Sequence, residues 1–201
     1  CSSDLYFEEQ IYPVVTPLAV DSGHPFPFLA NNTINAIVRI FQVQPDGTKD
    51  YKIAILPIPS VLDRIIEVPS SSNKVHRFVY LEDVISYYAI QFFQGYGIEE
   101  AMIFRLTRDA DLEIDEEDAK DLLTEVEASL RRRRRGDAVR LEVVRAGSPE
   151  LLRTVLASVE LEEKDVYHID GHLDCRMYFD FSNYPGYDNL RYKPFEPKIP
   201  S

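Results

Sequence analysis

The stretch that most constrains this chain runs from Asp109 to Val144, where a block of acids leads into a helical body, five consecutive arginines, a glycine and a strand-like segment. Ala119, Leu122, Leu123, Val126 and Leu130 recur at helical spacing and share one face, so the spacing predicts one long amphipathic helix over 115–135. Asp115 supplies an N-cap, and Glu116, Glu117 and Asp118 place negative charge at the positive end of the helix dipole. Arg131, Arg132, Arg133, Arg134 and Arg135 crowd the end where cations are favoured, and Gly136 is a natural C′ residue. Ala138 to Val144 then has the apolar pattern of a strand.

The totals bound the remainder. At 201 residues, one domain with a sizeable core is the expectation. A net charge of −12 argues against nucleic acid and anionic membranes as partners for the surface as a whole. Two cysteines, Cys1 and Cys175, are too few for a disulfide framework and point to a reducing compartment, hence the cytoplasm. No apolar run is long enough for a membrane span. The opening Cys1-Ser-Ser-Asp4 suits either the mature end of a lipidated bacterial protein or a segment cut from a longer polypeptide.

Taken in order, Leu5 to Gln10 is expected to end a helix, and Pro13, Pro17, Pro25 and Pro27 are expected to forbid regular structure soon after. Residues 1–30 thus form a proline-rich lead-in, with Val14 to Val20 extended. Ile34 to Val43 is a predicted strand with Ile34, Ala36, Val38 and Ile40 on one face. It is joined through the turn Gln44-Pro-Asp-Gly-Thr48 to a returning strand, Tyr51 to Leu56. Arg64 to Val68 and Val75 to Tyr80 make a second hairpin. Glu82 to Phe93 is a predicted helix with Val84, Ile85, Tyr88 and Phe92 inward, and Met102 to Thr107 a strand. Ser148 caps a helix with Pro149 at N1 and an apolar face of Leu151, Leu152, Val155 and Leu156; Asp165 to Ile169 is the last strand. The pattern is α+β: a two-layer domain over 31–182 with a mainly antiparallel sheet and about four helices, then an irregular exit segment over 183–201.

The search for chemistry returns little. The arginine run sweeps the whole helix circumference, and Arg133 falls near the centre of the apolar face defined by Val126, where it needs an acidic partner. Two accounts of Arg131–Arg135 stand side by side: compensation of the helix dipole, or contact with a polyanion or a neighbouring domain. The acids of 109–121 lack the glycine of a calcium loop, and His168 and His172 lie close in sequence without a zinc-ligand pattern. His24 and His76 complete the four histidines. The plentiful Tyr and Phe have the spacing of strand faces and are assigned to core packing. No catalytic, cofactor-binding or metal-binding residue is therefore assigned.

Several motifs do carry a resemblance. Tyr6-Phe-Glu-Glu-Gln-Ile-Tyr-Pro-Val-Val-Thr-Pro-Leu-Ala-Val-Asp21 with His24-Pro-Phe-Pro-Phe-Leu29, Phe104-Arg-Leu-Thr-Arg-Asp-Ala-Asp-Leu-Glu113, Leu130 to Glu142, Asp165 to Asp174 and Lys193 to Pro197 together resemble the middle (head) domain of bacterial polyphosphate kinase. Arg135, where an aromatic is common, and His172, where a proline is common, depart from the pattern. The resemblance implies a parent enzyme that reversibly transfers the terminal phosphate of ATP to polyphosphate through a phosphohistidine, with Mg²⁺. It places the nucleophile in a C-terminal catalytic region beyond this chain, so none of the four histidines inherits that role. It further implies that the fragment is a non-catalytic scaffold, with the remaining domains of the same polypeptide as partners. The parent would be a cytoplasmic homo-oligomer, peripheral association with the membrane included, and this domain would contribute dimer contacts. The rival expectation is an autonomous anion-binding module that takes polyphosphate or anionic lipid on Arg131–Arg135.

Overall fold

A computed structural model describes residues 2–70, 75–109, 136–144, 148–193 and 195. The helix expected over 115–135, its arginines and its acidic entry beyond Asp109 lie outside the described residues.

The strands are β1 (Leu18–Val20), β2 (Ile34–Val43), β3 (Lys49–Pro57), β4 (Ile65–Val68), β5 (Arg77–Tyr80), β6 (Gly97–Arg108), β7 (Ala138–Val144) and β8 (Val166–Ile169). Six of them form one sheet in the order β1-β3-β2-β6-β7-β8, and β4 and β5 pair separately as a hairpin. All pairings are antiparallel except β7 with β8, which a helical crossover joins in parallel. The helices are α1 (Ser2–Tyr6), continued by a π-helical turn at Phe7–Ile11, α2 (Leu81–Tyr87), α3 (Pro149–Val159) and α4 (Met177–Phe181). The α+β class, the mainly antiparallel sheet and a count of four α-helices among the described residues agree with the sequence pattern, although α4 is not among the helices expected.

Alternation along the strands fills both faces of the large sheet. On one face Ile37, Ile55, Met102, Phe104, Leu106, Leu141 and Val143 are buried under Leu151, Val155 and Leu156 of α3. On the other, Ile34, Ala36, Val38, Ile40, Ala54 and Leu56 pack against Phe7 and Ile11 of the N-terminal segment, Leu81 and Ile85 of α2, Ile66 of the hairpin and Leu173. Both faces of the sheet are thus covered, where a two-layer domain would cover one. The lead-in is knitted into this core rather than lying across it, with Phe7 stacked on Tyr88 at 4.4 Å.

Three local expectations need correction. The prolines do not exclude regular structure after them: Leu18, immediately beyond Pro17, begins β1, which pairs with β3 at the sheet edge, where a flanking proline is tolerated. The single helix expected over Glu82 to Phe93 is broken, because Tyr88 leaves helical geometry (φ −92°, ψ 8°) and a 3-10 turn follows at Ala89–Phe92. Gly136 is not in the left-handed conformation of a C′ residue; a Cβ there would lie 2.0 Å from the carbonyl oxygen of Asp109, so the glycine is required by close backbone approach.

The other local signals match. The β2–β3 turn closes with Gly47 at φ 83° and with Gln44 N–H donating to Thr48 O at 2.8 Å. Ser148 Oγ caps α3 by accepting from Leu151 N–H at 3.3 Å, Pro149 stands at the first position, and Glu160 ends the helix at φ 57°. Arg39 of β2 ties the start of α3 to the sheet through Glu150, with Glu99 and Glu100 of β6 each 3.3 Å away.

Candidate functional site

The densest gathering of functional groups lies where the β4–β5 hairpin meets α4 and the chain that leaves it. Pro69 stops β4, and the antiparallel register sets Glu67 opposite Phe78, one residue beyond Arg77 and two beyond His76. After α4, Gly186 at φ 86° turns the chain, and a short 3-10 turn at Asp188–Leu190 carries it back over the hairpin. Residues 183–193 are irregular apart from that turn. They form, with the hairpin, a cleft of about 670 Å³ walled by Phe78, Phe181, Tyr184, Tyr187, Leu190 and Tyr192. Phe78 anchors the wall edge-on to Phe181 at 4.9 Å and to Tyr184 at 5.2 Å.

The polar groups of this cleft are committed to one another. Tyr184 O–H donates to Glu67 Oε2 at 2.7 Å, and His76 Nδ1 lies 2.7 Å from Glu67 Oε1 and from the Tyr184 oxygen. The hydrogen bond to His76, then that to Tyr184, holds the Glu67 carboxyl below its usual range. Donation to Glu67 pushes the Tyr184 phenol up to about 12. Arg191 spends its guanidinium on Ser182 O at 2.8 Å, Asp188 Oδ1 at 2.9 Å and Tyr184 O at 3.1 Å. Aromatic faces and the hydroxyls of Tyr187 and Tyr192 are what the cleft has left to offer.

Beneath it sits a buried ion pair. Arg64, just before β4, forks onto Glu82 of α2, with Nε 3.2 Å from Oε2 and Nη2 bound to Oε1. The same guanidinium donates to the carbonyls of Leu173 and Asp174, both at 2.7 Å. The Glu82 side chain is only 3% exposed, so this fork ties the hairpin, α2 and the 172–176 turn together. His172 stacks on Tyr80 at 3.4 Å and stands 3.7 Å from Glu82. A hydrogen bond from Arg176 holds the Asp174 carboxyl low, and the hydrogen bond with Tyr178 pushes Tyr80 up to about 12.

The residues singled out in the sequence are therefore dispersed. Arg131, Arg132, Arg133, Arg134 and Arg135 lie outside the described residues. His24 is bound within its own turn, 3.1 Å from Asp21, while His168 is exposed on the edge strand β8, so His168 and His172 do not converge. Among the described residues no group of three or more His, Cys, Asp or Glu is placed to hold a metal ion, and no helix is long and apolar enough to cross a membrane. Sequence reasoning missed the cleft because it assigned the aromatics to the core. The available signal was the crowding of Tyr and Phe over 178–195, beyond the last strand. The Arg64–Glu82 fork leaves no sequence trace, since 17 residues separate its partners.

With this geometry in place, comparison with known proteins decides the family. The family model for the polyphosphate kinase middle domain matches residues 3–181. The chain belongs to the polyphosphate kinase middle-domain family. It is 41% identical over 199 residues to the polyphosphate kinase of Bacillus cereus, covering 97% of this chain and 28% of that protein. To the polyphosphate kinase of Halalkalibacterium halodurans it is 42% identical over 178 residues, covering 88% of this chain and 25% of that protein. The crystal structure of polyphosphate kinase from Porphyromonas gingivalis matches with a TM-score of 0.71 at 20% identity, over 98% of this chain and 27% of that one, which shows the shared fold. The chain spans about a quarter of the length of the curated relatives it matches.

Proposed function

We propose that this chain is the non-catalytic middle portion of a polypeptide that transfers the terminal phosphate of ATP to polyphosphate, with Mg²⁺ as the metal of the parent reaction. The observation that carries this reading is the family match joined to partial coverage: the relatives named polyphosphate kinase are about four times as long as the region shared. The described cations support it. Phosphoryl transfer needs cationic clamps turned toward equatorial oxygens and a poised nucleophile. Here Arg39, Arg64, Arg105, Arg176 and Arg191 are each paired with carboxylates of the domain itself. Arg108 donates to the carbonyls of Leu29 and Gly136. Such pairing stiffens a scaffold and leaves these arginines little charge for a substrate. In this reading the polypeptide is cytoplasmic and homo-oligomeric, and the middle domain supplies subunit and domain contacts.

Polyphosphate binding by the 201-residue chain across a salt series tests the scaffold role. The scaffold predicts no binding tighter than about millimolar. An anion-binding module would instead give a steep salt dependence. Loss of that slope on replacing Arg132 and Arg135 would assign the binding to the arginine run and overturn the scaffold role.

A further inference from the structure

Large apolar side chains stand in solvent along one short piece of chain. Leu190 is 74% exposed and Tyr192 100%, and both form the lip of the aromatic cleft. Soluble surfaces scatter such side chains singly; a contiguous group around an apolar cleft marks a surface that another protein segment covers. The charged groups beside it already have partners: Glu67 is hydrogen-bonded by Tyr184 and contacted by His76, Arg191 pairs with Asp188, and Asp174 with Arg176 at 2.5 Å. Arg191, the arginine among the described residues that line the cleft, is thus already taken. Apolar side chains inserted between the rings would find a ready-made seat.

We infer that this face, the cleft of Phe78, Phe181, Tyr184 and Tyr187 with the exposed Leu190 and Tyr192, is where the polypeptide continuing beyond this domain docks within the same molecule. The inference rests on reading the chain as the middle portion of a longer protein. Two observations choose that occupant. The matched family is a middle domain, and its relatives extend well past the shared region. The exit segment is itself the cleft's outer wall, so whatever follows it is tethered beside the seat. A short tether gives an effective concentration of about millimolar, which favours the continuing chain over a free partner of similar chemistry. Docking also explains why an irregular segment is laid back on the hairpin by Tyr184 and Arg191: its rings are preorganised as half of an interface.

Hydroxyl-radical footprinting of the intact polypeptide, read residue by residue by mass spectrometry in native buffer and in urea, tests the inference. Tyr192 and Leu190 are expected to react at least about tenfold slower in the native protein than in urea, because a dry interface core excludes solvent. That protection is expected to persist on dilution, and Leu190→Asp is expected to restore Tyr192 reactivity while the far-ultraviolet circular dichroism is unchanged. Native rates close to those in urea would overturn the inference. So would protection that vanishes on dilution, since the occupant would then be a second copy. Polyphosphate synthesis measured on the same sample separates this result from the enzymatic reading. An inactive but protected polypeptide refutes the proposed reaction alone, and an active, unprotected one refutes the docking alone.

Discussion

Replacing Arg64 by Met is the perturbation that most severely tests how the hairpin is held. The Met stem keeps most of the buried volume but removes the fork onto Glu82 and both bonds to the carbonyls of Leu173 and Asp174. It leaves the Glu82 carboxylate uncompensated with a side chain 3% exposed, a situation that costs about 3–5 kcal/mol. That is a large share of the roughly 5–15 kcal/mol that holds a domain together. The double variant Arg64→Met with Glu82→Leu removes both charges and is expected to recover most of the loss, because a well-packed apolar pair often replaces a buried ion pair without penalty. The chain has no tryptophan, so urea unfolding is best followed by circular dichroism and tyrosine emission. A cost below about 1 kcal/mol for the single variant, as an exposed ion pair would give, refutes the reasoning. So does a double variant no more stable than the single one.

Three further outcomes follow from the same geometry. Gly136→Ala pushes a Cβ into the Asp109 carbonyl and is expected to destabilise by about 1–3 kcal/mol in urea unfolding, with the β6–β7 end of the sheet losing amide-exchange protection first. Glu160→Gly relieves the left-handed backbone at the end of α3 and is expected to stabilise by about 0.5–1 kcal/mol, read from the urea midpoint. Tyr184, with its phenol raised from 10.0 to about 12, contributes stability that is complete below pH 10.0 and lost as pH rises through about 12. Glu67, lowered from 4.5, contributes stability that is present above 4.5 and lost as pH falls through its folded value. In an ultraviolet phenolate titration, Glu67→Ala should bring Tyr184 back toward 10.0 and leave Tyr80 late, and an unchanged number of late phenols would contradict the pairing.

How much of this was legible depended on range. The β2–β3 hairpin, β7 and the capped helix α3 rest on contacts within a few residues of one another, and Gly47, Ser148 and Pro149 announce them. β1 was obscured because its strand character comes from pairing with β3, 33 or more residues away, and not from its own proline-flanked sequence. Gly136 shows the limit of residue-type reasoning: glycine was rightly marked as special, but its purpose is set by Asp109, a neighbour across 26 intervening residues. The aromatic cleft failed for a related reason. Spacing distinguishes a strand face from a helix face, yet it cannot tell rings that pack inward from rings that wait for a partner.

The central claim is that this domain supplies no reacting group to the polypeptide that carries it, and its four histidines test that most directly. Each of His24, His76, His168 and His172 is replaced singly by Gln in the intact polypeptide, which is then incubated with labelled ATP and Mg²⁺. All four variants are expected to keep the acid-labile protein-bound phosphate and to extend polyphosphate. Loss of the label in any one of them, with its circular dichroism spectrum intact, would place the nucleophile inside this domain and contradict the account.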